Sequence, residues 1–177
     1  HELITLYSDP VELIVMPEIH RGVAVAYCDP PGALDPPDAP TFFAISPTPA
    51  NWPPERVASF YREYNVHAMR NLVIHEAMPG HVVQLAHSRR GPVPTKVHQA
   101  FWSGPFVEGW AVYAEQEMVR HGFGGAQVRM QQLKMRLRSA INAVLDVRVH
   151  CDEFSEDDAM ALMVGRGYQE DGEATGK

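Results

Sequence analysis

The sequence predicts a mainly α fold of the α+β kind, with a small N-terminal β-sheet followed by a helical remainder. Three observations carry this. Most of the 15 prolines fall before residue 55, among short runs of β-branched and aromatic residues. From Pro53 onward apolar residues recur at roughly helical spacing. One apolar stripe, Leu133, Leu137, Ile141, Val144, Leu145 and Val149, marks a long helix over about 127–149.

The elements follow in order. Leu13–Met16, Val23–Tyr27 and Thr41–Ile45 are apolar runs bounded by Pro, Gly and Asp, which is a strand signature. Asp29 to Pro40 carries five prolines and reads as a loop. Pro53-Pro54-Glu55 opens a helix whose apolar positions run from Val57 through Phe60, Tyr64 and Ala68 to Ile74. Pro79-Gly80 interrupts, and a second segment runs from His81 to Ser88. Arg89 to Thr95 reads as a loop. A further helix covers about 104–120, closed by Gly122, Gly124 and Gly125. Ser155-x-x-Asp158 resembles a capping box, with Asp in place of Glu, and opens a last helix through Met163.

Length and composition suit one ordinary domain over 1–177, with a strand-and-loop part over 1–52 and a helical part over 53–177. A net charge of −7 argues against a nucleic-acid partner, which needs basic patches. No apolar run approaches the ~20 residues that span a bilayer. The chain opens His1-Glu2-Leu3, without Met and without a basic-then-apolar leader, and ends at Lys177 after a charged stretch. It is expected to be a fragment of a longer chain. Cys28 and Cys151 lack Cys-x-x-Cys spacing and are expected to be free thiols, one or both buried.

The chemistry concentrates in His75-Glu76-Ala77-Met78-Pro79-Gly80-His81. In H-E-x-x-H zinc peptidases two His one helical turn apart share a metal, and the Glu between them activates water. Here the second His lies six residues on. Six steps of ~100° on an unbroken helix would turn His81 roughly 120° away from His75. Pro79 breaks a helix and Gly80 tolerates unusual backbone. A local distortion there returns His81 beside His75; the alternative is a helix-ending turn with exposed His on either side.

Glu108-Gly109-Trp110-Ala111, 27 residues beyond His81, weighs for the metal. It resembles the helix that supplies the third, Glu ligand in the gluzincin class of zinc peptidases. Two imidazoles and one carboxylate leave a coordination position open, as a catalytic zinc needs. Glu115, two turns beyond Glu108, reads either as a partner that holds a ligand His or as a solvated surface residue. Glu117 is expected simply to be solvated.

At these residues the chain resembles the bacterial domain of unknown function 885 family. The resemblance rests on H-E-A-x-P-G-H with Gln84 three residues further, and on E-G-W-A-x-Y-A-E from Glu108 to Glu115. Tyr61 to Asn65, Gln132 to Arg138, Asn142 to Asp146, Asp146 to His150 and Gly167 to Glu170 extend it over most of the chain. It implies a gluzincin-like, helical zincin-type catalytic core with a small sheet beside the active-site helix. It also implies that members are longer than this chain.

The expected activity is zinc-dependent hydrolysis of a peptide or small amide. Zn2+ is held by His75, His81 and Glu108, and Glu76 serves as general base and then proton donor to the leaving amine. His150 and Arg148 are candidates to stabilise the oxyanion. The alternative for Arg148 is a salt bridge with Asp146 or a nearby carboxylate. Tyr61, Tyr64 and Tyr113 are expected to pack in the core, though each has a hydroxyl to donate. By analogy with gluzincins, an edge strand near Tyr27 or Phe42 pairs with the substrate backbone. Two rivals stay open: a metal- or peptide-binding module without turnover, and a non-haem metal enzyme of another reaction class.

Overall fold

The computed structural model describes residues 3–21, 24–32, 34–36, 38–91, 97 and 101–175. It is a mainly α, α+β chain with one three-stranded sheet among those residues. It divides into two compact units. The first joins residues up to 47 with 72–121, and the second joins 48–71 with residues from 122 onward. The compositional change near residue 53 is therefore not the spatial boundary, because the helical residues 72–121 fold with the strands.

In the first unit the strands are β1 (Val11–Val15), β2 (Ala26–Asp29) and β3 (Thr41–Ile45), in the order β1-β3-β2. β1 runs parallel to β3 with Val11 opposite Thr41, and β2 runs antiparallel with Cys28 opposite Phe43. β3 matches its expected bounds. It is central, so Thr41, Phe43 and Ala44 are buried. The other two strands are displaced from the apolar runs, because ladder pairing with β3 rather than hydrophobicity sets their ends. β1 begins two residues early. β2 starts at Ala26 and continues through Cys28 and Asp29, whose own β preference is weak. Of the expected second strand, Val23 lies outside the described residues. Ala24 makes only an isolated bridge to Arg21.

Helices α1 (Pro54–Glu63) and α2 (Val66–Glu76) replace the single periodic stretch expected over 57–74. Asn65 causes the break. Its Oδ1 accepts from the N–H groups of His67 and Ala68, capping a new helix start. Helix α3 (His81–Arg90) runs slightly past the expected Ser88, and of the loop expected after it residues 92–95 lie outside the described residues. Helix α4 (Gly104–Arg120) has its expected bounds. Within the first unit, the end of α2, α3 and α4 bury Ile74, Val82, Val83, Val107, Ala111 and Ala114.

The second unit holds α1, the start of α2 and the long helix α5 (Gly125–Cys151). It also holds α6 (Glu156–Met160), the π-helical turn Ala161–Arg166 and the short α7 (Asp171–Ala174). The expected capping box is formed: Ser155 Oγ accepts from the N–H of Asp158, and the Ser155 N–H donates to Asp158 Oδ2. Of the apolar stripe on α5 only Ile141 is buried; Leu133, Val144 and Val149 are about half exposed. The buried positions of α5 are Val128, Gln132 and Ile141. Charge ties this unit together. Buried Glu63 accepts from Lys134 Nζ at 2.7 Å and from the Glu170 N–H at 2.9 Å. Arg138 donates to the Tyr64 hydroxyl and pairs with Glu173.

Candidate metal centre

All residues of the candidate centre lie in the first unit. α2 carries His75 and Glu76 on its last turn, and then the chain folds back on itself. Ala77 and Met78 both donate to the Val73 carbonyl, and the Gly80 N–H reaches the Ile74 carbonyl at 2.9 Å. The Met78–Pro79 peptide is cis. α3 starts afresh at His81, with Gly80 as its N-cap. A Cβ on residue 80 would overlap the carbonyl oxygens of His75 and Ile74, so only glycine fits. From α4, the Trp110 indole N–H donates to the Pro79 carbonyl at 2.9 Å and pins the turn.

This distortion is what the spacing of the two His required. The His75 and His81 rings meet edge to face with centroids 4.8 Å apart. Glu108 on α4 faces both: its Oε2 is 3.3 Å from His75 Nε2 and its Oε1 is 3.8 Å from His81 Nε2. One ligand atom from each of the three lies within 4.8 Å of the others. Glu115, two turns along α4, is buried and accepts the Nδ1–H of His75 at 2.7 Å. A carboxylate can only accept, so one ring proton is fixed on Nδ1, and Nε2 is the nitrogen turned toward Glu108. Of the two readings of Glu115, the solvated surface residue is ruled out: it is a buried partner of His75. Glu117 is not simply solvated: its side chain is 18% exposed and pairs with Arg120 and His121.

Glu76 projects into the same cleft, a cavity of about 930 Å3 lined also by Tyr27, Cys28, His75, His81 and Glu108. The cleft side of the sheet is the edge of β2 that no other strand pairs among the described residues. Its Cys28 N–H donates to Glu76 Oε2 at 3.1 Å, tying the carboxylate to the strand. Phe42 sits on the central strand, so of the two strands expected to flank the cleft only β2, near Tyr27, offers an edge.

Electrostatics follow from crowding these groups. Burial raises the pKa of Glu76 to about 7; the charges of Glu108 and Glu115 add to this, against His75 and the Cys28 N–H. Burial opposes protonation of His75, but hydrogen bonds to Glu108 and Glu115 outweigh it and lift its pKa to about 10. Burial and the neighbouring His75 charge pull His81 down, toward the neutral imidazole that binds metals. Glu108 is lowered, chiefly by its hydrogen bond to His75. Two imidazoles, one carboxylate and a hydrogen-bonded outer carboxylate suit a zinc-type ion. Protons on this set compete with such an ion.

The remaining candidates have other surroundings. Arg148 and His150 stand on α5 in the second unit, both exposed. Arg148 pairs with Asp152, and His150 Nδ1 donates to the Asp146 carbonyl. Tyr64 is buried as expected, but Tyr61 and Tyr113 are more than half exposed, so neither packs in a core. Both cysteines are free, as expected. Neither is fully buried: Cys28 is half-buried and Cys151 exposed. Burial, with the nearby Glu76 charge, pushes the Cys28 thiol up to about 12, so it faces the cleft protonated. The Cys28 and Trp110 hydrogen bonds were not foreseeable from sequence. Each joins residues more than thirty positions apart, and neither residue type announces the bond.

The family described as "Bacterial protein of unknown function (DUF885)" matches residues 2–177. The chain belongs to the DUF885 family. Among solved structures, this DUF885 chain is similar to "a putative lipoprotein of unknown function from Shewanella oneidensis", with 33% identity and a TM-score of 0.80. That similarity covers 99% of this chain and 31% of the other, so the chain spans about a third of its relative's length. No curated protein matches. Among the described residues no helix is long and apolar enough to cross a membrane.

Proposed function

We propose that this chain is a zinc-dependent hydrolase of peptide or amide bonds, of the gluzincin-like type. On this reading the third of the longer relative that it covers is the catalytic part. The observation that carries the proposal is the convergence of His75 Nε2, His81 Nε2 and the Glu108 carboxylate beside a buried, separately anchored Glu76.

His75, His81 and Glu108 would hold zinc, which supplies Lewis acidity toward a carbonyl oxygen and acidifies water. Glu115 keeps His75 in the tautomer that presents Nε2. Glu76 takes a proton from the attacking water; the water oxygen bonds to the carbonyl carbon, the C–N bond breaks, and Glu76 returns the proton to the departing amine. Burial, which raises the proton affinity of the carboxylate, suits both transfers. The Cys28 N–H aims Glu76 and leaves the rest of the β2 edge for an extended substrate backbone. Arg148 and His150 stay candidates for oxyanion stabilisation by resemblance only.

The test begins with metal content. The purified protein should carry one zinc per chain, and His75→Ala and Glu108→Ala should each lose it. Glu76→Gln should retain zinc and lose hydrolysis of peptide amides. Full zinc retention in Glu108→Ala would remove Glu108 from the ligand set. Full activity of Glu76→Gln would remove it as base. Zinc at full occupancy with no turnover on any peptide library would favour a binding module instead.

A further inference from the structure

A second cavity of about 650 Å3 adjoins the metal cleft and shares Leu85, Ser88, Trp102 and Val107 with it. Its size falls in the range of small-molecule sites, about 300–1,000 Å3. Three aromatic residues, Trp102, Phe106 and Trp110, line it, and Trp102 and Phe106 are respectively 59% and 68% exposed. Large aromatic faces in that state, arrayed around one hollow, have packing area to give to a partner.

Gln84 is the most buried polar side chain of this wall, which also carries His87, Ser88 and Ser103. It is 8% exposed and lines the cavity from α3, one turn after His81. Its Nε2 makes a long contact of 3.5 Å to the Phe106 carbonyl, and its Oε1 is buried with no hydrogen-bond partner among the described residues. A buried acceptor left unmet is costly, and a ligand donor that reaches it recovers that cost.

We infer that this cavity is the side-chain pocket of the proposed hydrolase, and that it takes an aromatic side chain bearing a hydrogen-bond donor, tyrosine or tryptophan. The inference rests on the hydrolase reading for its location beside the scissile bond. The pocket itself rests on its lining. The ring stacks among Trp102, Phe106 and Trp110, and the phenol O–H or indole N–H donates to Gln84 Oε1. Among the described lining residues there is no Lys or Arg to meet an acidic side chain, and small side chains leave the aromatic faces uncovered. The wall shared with the metal cleft is what selects a substrate side chain as the occupant.

The experiment reads binding rather than turnover. The protein has three tryptophans, and two of them line the pocket while Trp52 belongs to the second unit. Indole N–H signals of 15N-labelled protein are followed during titration with N-acetyl-L-tyrosinamide, N-acetyl-L-tryptophanamide, N-acetyl-L-phenylalaninamide and N-acetyl-L-alaninamide, with and without zinc. Trp102 and Trp110 should shift and Trp52 should not. The tyrosine amide should bind about tenfold more tightly than the phenylalanine amide, the worth of one good hydrogen bond. The alanine amide should not bind. Gln84→Leu should abolish the tyrosine preference while keeping phenylalanine binding, and Phe106→Ala, at an exposed position, should weaken all aromatic amides. No response at Trp102 and Trp110, an equal response at Trp52, or equal affinity for alanine and tyrosine amides would each overturn the pocket, as would a tyrosine preference that survives Gln84→Leu. Aromatic binding without turnover would keep the pocket and reject the hydrolase. Turnover indifferent to the side chain would do the reverse.

Discussion

Glu115 holds the Nδ1–H of His75 at 2.7 Å from a position two turns along α4 from Glu108, so one helix supplies both a carboxylate facing the two imidazoles and the carboxylate behind the first of them. Such outer partners typically account for 10–100-fold of metal affinity. Glu115→Gln should therefore weaken zinc binding by about that factor with the fold intact, read by competition against a chromogenic chelator. Glu117→Gln, on the same helix, should leave affinity unchanged. Equal affinity in wild type and Glu115→Gln would show that the bond does not tune His75.

The turn at Gly80 makes a second prediction. A methyl group there meets the carbonyl oxygens of His75 and Ile74, both backbone atoms that cannot rotate aside. Gly80→Ala should destabilise the chain by about 2 kcal/mol or more in urea titration and lower zinc stoichiometry together. A variant of wild-type stability that binds zinc normally would mean that the chain has another way to place His81.

Lys134 and Glu63 make a third. Glu63 is 4% exposed, and Lys134 supplies its countercharge across 2.7 Å. Lys134→Met leaves a buried carboxylate with the Glu170 N–H and the more distant Arg138 charge, at a cost of about 3 kcal/mol. Glu63→Gln added to Lys134→Met should recover much of the loss. Additive destabilisation in the double-mutant cycle would contradict the pairing.

The fourth concerns pH. Burial of Tyr64 lifts its pKa to about 12; the Glu173 charge adds to this and Arg138 opposes it. The unfolded chain releases this proton near pH 10. The folded-state value is the higher one, so the stability involved is fully present below pH 10 and lost as pH rises toward 12. The slope approaches about 1.4 kcal/mol per pH unit in that window. Tyr64→Phe should flatten the alkaline limb of the stability curve and cost about 1 kcal/mol at neutral pH through the lost Arg138 bond. An unchanged alkaline slope would assign it to other groups.

Much of this was legible without coordinates, for reasons of range. The bounds of α4 and the capping box at Ser155 are written in a few adjacent residues, where helix spacing and turn chemistry act locally. The candidate centre was legible because His75, Glu76, His81 and Glu108 sit in two short, distinctive segments, and because Pro79-Gly80 marks the needed break. The missed break at Asn65 was also local; its signal was a polar residue able to cap the helix that follows.

Tertiary structure alone decided the rest. It decided that Glu115 partners His75 rather than facing solvent, because only the packing of α4 buries it. It brought the β2 edge to Glu76 across 48 residues of sequence and placed Trp110 over the Pro79 turn. It also left Leu133, Val144 and Val149 open on a stripe that periodicity marks for burial. Sequence determines which side chains a short segment can offer and where its backbone must bend. Which of those offers is taken depends on surfaces that meet only after folding, since burial, hydrogen-bond partners and local charge belong to neighbours distant along the chain.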